Sequence, residues 1–296
     1  MDTVCHGKEW DVALVEDNGD IQAALPYLLG HRWGFRYVLQ PQLTQYNGPW
    51  YRPDDALPPS RQLEREHSLA ARLIEHLEAL RLHWFQQHFS PSVTNWLPFC
   101  WKGYQQSTRY TYRLPDISCP QQVFALFDPG RRQRQILKAE RLLHPVEDLT
   151  PEGFALFHPR YWQSKGENDL LPQDFIVRVI TRSLERRQGL LLGLADDQGT
   201  LQIARFVVFD SHSAYSLLSA LRPEGHCNGA SALLFWTMIQ RLSGLTRAFD
   251  FEGSMDPGVE QSYRLYGATQ TPYFVVSRLR SPLFSLLLKI KQHPAK

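Results

Sequence analysis

Alternating hydrophobic and polar residues predict that the chain begins with paired strands. Asp11–Glu16 alternates and ends in the turn Asp17-Asn-Gly-Asp20, after which Ile21–Leu29 returns. Two alternating runs joined by an Asn-Gly turn are typical of a β-hairpin. The short apolar run Phe35–Leu39 predicts a third strand.

The hydrophobic period changes between Ser60 and His88. Apolar residues recur there at spacings of three and four, at Leu69, Leu73, Leu77, Leu80 and Trp84. This spacing predicts one long amphipathic helix through the whole range. Strands are predicted after it, at Val93–Phe99 and Arg109–Leu114.

The order of elements restarts at Pro115-Asp-Ile-Ser-Cys-Pro120. The second half is predicted to contain helices and strands in the following order: helix Gln121–Phe127, a basic helical turn at Gly130–Glu140, an extended segment Leu142–Leu149, a helix from Thr150, helix Gln173–Arg187, strands Gly189–Ala195, Ile203–Phe209 and Ala214–Leu221, a helix from Ser231 to Arg241, strand Ala248–Phe251, a helix ending at Tyr266 and strand Tyr273–Leu279. We predict an α+β fold with mixed central sheets flanked by helices. The predicted parts are a domain at 1–115, a domain at 116–280 and a tail at 281–296.

Composition narrows the class of protein. The net charge of +2 over 296 residues gives no global attraction to nucleic acid, so any anion site must be local. The four cysteines (Cys5, Cys100, Cys119 and Cys227) are scattered without zinc-ligand spacing, which favours reduced thiols and predicts no metal site. No secretory signal or membrane-spanning run is present in the sequence, so we predict a cytoplasmic protein.

The apolar tail with a basic end, Ser281–Lys291, either docks on its own protein or makes a peripheral membrane or dimer contact.

A basic, glycine-containing loop follows the strand Ala214–Leu221. It comprises Arg222-Pro-Glu-Gly-His-Cys-Asn-Gly-Ala230 and leads directly into a helix. Backbone N–H groups at such a helix start can hold a phosphate or a developing oxyanion. The alternative is an ordinary strand–helix connection with a glycine turn.

Three segments carry a resemblance to a known family: Arg132–Glu140, Arg222–Ala230, and Phe249-Asp-Phe-Glu-Gly-Ser254 with the downstream Pro257-Gly258 and Tyr266-Gly-Ala268. Through them the second half resembles the acyltransferase domain of the GNAT superfamily. From about Trp10 to Leu279 the chain resembles the two-domain FemAB-type branch. The resemblance implies two GNAT-like domains, the first either a degenerate copy or only an acceptor platform.

The resemblance also implies a donor site in the glycine loop. Most GNAT proteins bind acyl-CoA such as acetyl-CoA at this position, whereas the peptidoglycan-bridge enzymes use aminoacyl-tRNA. The distance along the chain from Arg222 to Gly229 exceeds the usual GNAT spacing, which leaves both donors open. The expected donor-binding residues are Arg222, Gly225, Asn228, Gly229, Ala230 and Ser231.

Acidic residues in the strand-end segment Asp250-Phe-Glu252 are candidates for catalysis. A carboxylate inside a strand is costly unless paired or exposed. Asp250 or Glu252 is therefore either an orienting group or general base for an attacking amine, or a carboxylate held by a buried arginine or helix caps. The expected substrate-binding residues are Gln45, Tyr46, Trp101 and Tyr104 as an acceptor wall, Arg134 and Lys138 on the basic helix, and Ser254.

These features predict an N-acyltransferase that moves an acyl or aminoacyl group from a CoA thioester or an aminoacyl-tRNA to an amine acceptor. The acceptor is a small molecule or a cell-envelope precursor. Two alternatives remain open at this point: a non-catalytic binding module that retains the GNAT fold, and nucleic-acid binding through Arg131–Arg141. The sequence predicts no oligomeric state.

Overall fold

A computed structural model describes residues 1–146, 148–164 (with side chains to residue 159), 171–222, 229–253 and 255–284. The chain forms two compact units. Unit 1 comprises Met1–Arg109 with Pro272–Lys296, and unit 2 comprises Tyr110–Thr271.

The two units differ from the predicted domains at 1–115 and 116–280. The chain passes from unit 1 to unit 2 within strand β6, Gln105–Leu114, and returns within strand β12, Thr269–Leu279. The proline-rich break at Pro115 therefore marks the end of a strand. The last strand was assigned to the second domain because it follows that domain in sequence, but it pairs with strand β5, Trp84–His88, of unit 1.

Unit 1 is a mixed sheet with helices. Its further elements are strands β1 Trp10–Asp17, β2 Asp20–Arg32, β3 Phe35–Leu39, β4 Trp50–Tyr51 and β5 Trp84–His88, and helices α1 Pro59–Ala79 and α2 Leu97–Trp101. Strands β3 and β5 are parallel, whereas β1–β2, β2–β3, β2–β4 and β5–β12 are antiparallel. The apolar face of α1, at Leu69, Leu73 and Leu77, packs in one core with Val38 and Phe85.

The predicted hairpin is present, since β1 and β2 pair across a turn at Asn18 and Gly19. Both turn residues have positive φ, 54° and 84°, as a tight hairpin requires.

The predicted helix at Ser60–His88 is wrong in its last part, because α1 ends at Ala79. Arg81 has a φ of 50°, which interrupts the helix, and Trp84–His88 is strand β5. Leu80 and Trp84 continue the helical spacing by chance. The predicted strand at Val93–Phe99 is also wrong, since Leu97 begins helix α2.

The described start of the predicted tail lies on unit 1. Phe284 is buried, and its ring stacks on Phe35 with centroids 4.7 Å apart. The remainder of the tail prediction, from residue 285, lies outside the described residues.

The strands of unit 2 also pair in both parallel and antiparallel directions. Its elements after β6 are α3 Pro120–Leu126, a π-helical turn Pro129–Gln133, α4 Arg134–Ala139, β7 His144–Val146, α5 Pro151–Ser164, α6 Gln173–Glu185, β8 Gly189–Ala195, β9 Leu201–Phe209, β10 Ser213–Leu221, α7 Ala230–Leu242, β11 Ala248–Asp250 and α8 Pro257–Arg264. The strand order is β6-β11-β10-β9-β8-β7. The α+β class and the mixed sheets with flanking helices are thus confirmed.

Strands β10 and β11 pair only briefly. They run parallel from Ser213 with Ala248 to Tyr215 with Asp250. An irregularity between Ser216 and Leu218 follows, and β10 continues against β9 on its other edge. Beyond Tyr215 the edge of β10 that faced β11 is therefore released, next to the start of α7.

Candidate active site

Helix α7 begins at a position that only glycine fits. Gly229 precedes the helix with a φ of 81°, and a Cβ there would lie 2.6 Å from the carbonyl oxygen of Gln135. The Gly229 carbonyl accepts hydrogen bonds from the backbone N–H groups of Ala232 and Leu233. The glycine thus fixes where the helix starts and lets α4 approach closely.

A cleft of about 420 Å³ opens beside this helix start. Strands β9 and β10, the π-helical turn and the first turns of α7 and α8 surround it. Its polar side chains are Arg132, Arg205, Ser219, Ser231, Asp256 and Ser262. All of these belong to unit 2.

Arg205 places a guanidinium inside the unit. It lies on the central strand β9 and is only 5% exposed. Its Nη1 donates to Ser216 Oγ at 2.8 Å, and its guanidinium carbon lies 3.5 Å from the centre of the Phe235 ring. Burial of a guanidinium is costly, so its position at a cleft suggests a role beyond stability.

Arg132 supplies a second buried guanidinium. It donates to Gln135 Oε1 at 2.7 Å and to the carbonyl and hydroxyl oxygens of Ser262 at 2.8 and 2.6 Å. It also lies 4.5 Å over the ring of Tyr266. Its described partners are all uncharged, and its buried Nε has no hydrogen-bond partner among the described residues.

Tyr266 connects the two guanidiniums. Burial raises the pKa of Tyr266 to about 12, although the charges of Arg132 and Arg205 and a hydrogen bond with Ser231 act in the opposite direction. Both arginines therefore act on one phenol, and that phenol stays neutral at physiological pH. The two positive charges are not cancelled by a phenolate.

The carboxylate in the lining of the cleft belongs to Asp256. It caps α8 by accepting the backbone N–H groups of Gly258 and Val259 at 2.8 and 3.0 Å. Two guanidiniums against one carboxylate leave the described lining with a net positive charge. Low-dielectric walls strengthen such a field, so the cleft suits an anionic group of a ligand.

Asp250 is completely buried at the end of β11. Its carboxylate accepts from the Thr111 hydroxyl at 2.5 Å and from the Glu252 backbone N–H at 2.8 Å. The Nε of Arg113 lies 3.6 Å from its other oxygen. These contacts match the alternative of a carboxylate held by an arginine, so Asp250 positions the segment that follows it.

Glu252 differs from Asp250 in its surroundings. It has a φ of 55°, and its Oε1 is buried without a hydrogen-bond partner among the described residues. Burial, and then the charge of Asp250, raise the pKa of Glu252 well above its ordinary value. A carboxyl with a raised pKa is suited to exchange a proton near neutral pH.

The glycine loop is described only at its two ends. Arg222 donates through Nε to the Leu201 carbonyl at 3.1 Å, which ties it to the start of β9 and away from the described lining. Gly229 and Ala230 form the start of α7, and Ser231 lines the cleft. The predictions for Gly225, Asn228 and Ser254 lie outside the described residues.

The predicted basic residues of α4 point elsewhere. Arg134 and Lys138 are exposed, which matches the alternative of a solvated face. Arg132 lines the cleft instead. The π-helical turn before α4 shifts the helical period, which a count from the sequence at the ordinary period misses.

The predicted acceptor wall of unit 1 is not one surface. Tyr104 is a core residue with ring contacts to Phe85 and Phe99, which matches the alternative of an aromatic core, and its assignment to substrate binding stays a prediction. Trp101 is 64% exposed against His67. Tyr46 lines a separate cleft of unit 1, and the neighbouring Gln45 has a buried Nε2.

Sequence reasoning missed Arg205, although a signal for it exists. A lone cation in the apolar strand Ile203–Phe209 must be compensated by the fold or serve a ligand. Asp256 and Ser262 carry no comparable signal, since polar residues are ordinary in the first turns of a helix.

The described residues also bear on two other kinds of feature, metal sites and membrane-spanning helices. No group of three His, Cys, Asp or Glu side chains comes together there as a metal site requires. In the same part of the chain, no helix is long and apolar enough to cross a bilayer.

Comparison with known proteins gives a domain match and a fold. Residues 130–260 match the Acetyltransferase (GNAT) domain, and no curated protein matches the chain. The crystal structure of FemX superposes with a TM-score of 0.72 at 12% identity, covering 95% of this chain and 90% of FemX.

Two further solved structures share the fold. The C-terminal domain of a putative lysylphosphatidylglycerol synthetase from Agrobacterium fabrum gives a TM-score of 0.59 at 13% identity, with 98% of this chain and 92% of that domain covered. A tandem GNAT protein from the clavulanic acid biosynthesis pathway gives 0.55 at 13% identity, with 94% and 85% covered. The fold that the resemblance to two-domain GNAT proteins implied is thereby confirmed.

Proposed function

We propose that this protein, whose residues 130–260 form a GNAT acetyltransferase domain, transfers an acyl or aminoacyl group from an anionic donor to an amine. The general transferase class follows from the domain. The donor, the acceptor and the residues that act on them are the proposal.

The observation that carries the proposal is the positive cleft at the start of α7. It brings the buried guanidiniums of Arg132 and Arg205 beside the released edge of β10. A CoA thioester and an aminoacyl-tRNA both carry phosphate groups, and guanidiniums and helix starts are the groups that bind phosphate in proteins. The released edge of β10 offers backbone groups to the arm that carries the acyl group.

The transfer itself needs no covalent enzyme intermediate. The neutral amine attacks the carbonyl carbon of the thioester or ester, and its surplus proton passes to the Glu252 carboxylate. The C–S or C–O bond to the leaving group then breaks, and the thiolate or ribose oxyanion takes up a proton. Orientation and electrostatic stabilisation supply most of the rate in such a reaction.

Within this scheme the carboxyl groups have different tasks. Asp250 accepts the backbone N–H of Glu252 at 2.8 Å and so positions it. Glu252 must be ionised to accept the proton, and its raised pKa makes it a stronger base than an ordinary carboxylate.

The acceptor is proposed by analogy of fold. FemX and the lysylphosphatidylglycerol synthetase domain share the fold at low identity, and the proposed acceptor is an amine of a cell-envelope precursor, as the sequence resemblance implies. Such an acceptor would bring the protein to a membrane surface.

Donor binding tests the proposal directly. We expect titration calorimetry with acetyl-CoA, and separately with an aminoacyl-tRNA, to show binding of one donor to the wild type. Arg132→Met should weaken that binding at least about tenfold, since hydrogen bonds to charged groups contribute roughly 1.5–3 kcal/mol. Its free energy of unfolding should fall by roughly 1–3 kcal/mol, because the Gln135 and Ser262 acceptors lose their donor, so thermal unfolding must establish that the variant is folded.

Arg134→Met is the matched control. It removes the same charge from the exposed face of α4 and should leave donor affinity within about twofold. Failure of both donors to bind the wild type would refute the proposal, as would equal effects of the two variants.

A second candidate function is a binding module without turnover. One observation favours it: Asp256, the carboxylate of the described lining, is already engaged as a helix cap. Acyl transfer to a panel of amino sugars, peptides and lipid-linked amines, lost in Glu252→Gln while donor affinity is kept, would exclude this module.

A further inference from the structure

Unit 1 contains a cleft of about 530 Å³ that is separate from the donor cleft. Helix α1, strand β4 and the loops before β4 and after β5 form its walls. Three aromatic residues line it: Tyr46, Trp50 and Tyr51. Trp50 is 48% exposed, so part of this aromatic surface faces solvent.

The charge of this cleft is negative. Glu66 reaches it from α1, and no lysine, arginine or histidine is among the described residues that line it. The Gln62 Nε2 donates to Glu66 Oε1 at 3.0 Å and holds the carboxylate in place. Burial, and then the charge of Glu66, raise the pKa of Tyr51, so this phenol stays neutral and adds no second negative charge.

Two side-chain amides in the cleft each have one atom without a hydrogen-bond partner among the described residues. These buried atoms are the Nδ2 of Asn47 and the Oε1 of Gln62. Buried polar groups in folded proteins are nearly always hydrogen-bonded. Two unpaired amide atoms beside a carboxylate therefore indicate a place prepared for a polar ligand.

Aromatic faces and a carboxylate together select a particular chemistry. The faces of Trp and Tyr rings attract cations such as ammonium groups. An ammonium has only donors, which matches the acceptors Glu66 and Gln62 Oε1. Phosphate or carboxylate ligands are disfavoured, because nothing positive among the described lining residues would pair with them.

We propose that the unit 1 cleft binds an aliphatic primary ammonium group, with Glu66 as its counter-ion and the faces of the Trp50 and Tyr46 rings against the ammonium. Asn47 donates to a carbonyl of the same ligand, as in an aminoalkyl amide. The binding of this ammonium does not depend on the proposed function.

The test uses two probes that differ in one group. Nα-acetyl-lysinamide carries an ammonium, whereas Nα-acetyl-norleucinamide has a similar alkyl chain without it. We expect chemical-shift titration of the full chain to show at least about tenfold tighter binding of the charged probe, the effect of hydrogen bonds to a charged group. Glu66→Gln should abolish that preference.

Glu75→Gln is the matched control, since Glu75 is an exposed residue of the same helix and does not line the cleft. It should preserve the preference. Trp50→Ala, a change at a half-exposed side chain, should weaken the charged probe about threefold to tenfold through the lost cation–π contact. Thermal unfolding of each variant establishes that it is folded.

Several results would overturn the inference: equal affinity for both probes, no binding of either, or a preference that survives Glu66→Gln. Tighter binding of N-acetylglucosamine oligomers than of the charged probe would identify a sugar site instead. The test needs neither donor nor turnover. Arg132→Met should leave probe binding intact, so failure of the transferase proposal and failure of this one are distinguishable.

Discussion

Replacing Gly229 by alanine should destabilise the start of α7 in two ways: through a strained backbone conformation and through a steric clash. An L-residue in a left-handed conformation costs roughly 1–2 kcal/mol, and Gly229 has a φ of 81°. The added Cβ would also lie 2.6 Å from the Gln135 carbonyl oxygen. Forcing one methyl group into a packed contact costs typically ~1–3 kcal/mol, so the total is ~2–5 kcal/mol.

Gly199 provides the control within the same unit. Its φ is 76°, and a Cβ there would meet nothing within 4 Å. Gly199→Ala should therefore lower the free energy of unfolding only by the cost of the left-handed backbone conformation, ~1–2 kcal/mol. The difference between the two variants measures the close approach of α4 to the start of α7.

Equilibrium urea unfolding followed by far-ultraviolet circular dichroism measures both losses. Calorimetry with the bound donor gives a second readout, because moving the start of α7 should weaken donor binding in Gly229→Ala and leave it unchanged in Gly199→Ala. Equal losses of stability in the two variants would refute the steric argument. Unchanged donor affinity in Gly229→Ala would refute the role of this helix start.

Three further predictions concern the segment after β11. The raised pKa of Glu252 means that the free energy of unfolding of the wild type falls as pH rises from the ordinary carboxyl pKa to the raised one. The slope between these two pKa values is about 1.4 kcal/mol for each pH unit. Glu252→Gln should remove this fall, and a variant with the same pH dependence in urea unfolding would contradict the prediction. Thr111→Val should cost roughly 1.5–3 kcal/mol, because the Asp250 carboxylate loses its 2.5 Å donor, whereas Thr111→Ser should retain most of the stability. Gly253→Ala should destabilise the protein more than either substitution of Thr111, since the added Cβ would collide with the Tyr110 carbonyl oxygen. Soluble Gly253→Ala protein with a wild-type melting temperature would disprove this prediction.

Local patterns in the sequence identified many of the elements. The Asn18-Gly19 turn identified the first hairpin because few residues tolerate those dihedral angles. The end of α1 was missed because the positive φ of Arg81 leaves no mark in the hydrophobic period. Strand β5 was missed for the same reason, since Trp84 stands at a helical spacing from Leu80.

The candidate site was harder to predict. Arg132 and Arg205 are far apart in sequence and lie around one phenol, that of Tyr266, only because the sheet and α7 fold between them. The position of both arginines beside Tyr266 is a property of the tertiary structure. The burial of Arg132 instead of Arg134 could not be predicted, because a π-helical turn changed which basic residue faces inward.

The division of unit 1 has a consequence for synthesis of the protein on the ribosome. Strand β5 receives its antiparallel partner β12 only after all of unit 2 has been made. Until then that edge of β5 lacks this partner, and unpaired strand edges promote association between chains. Nascent unit 1 is therefore exposed to chaperones and to aggregation longer than its early place in the chain implies. A fragment that stops at Arg109 would keep that edge permanently open.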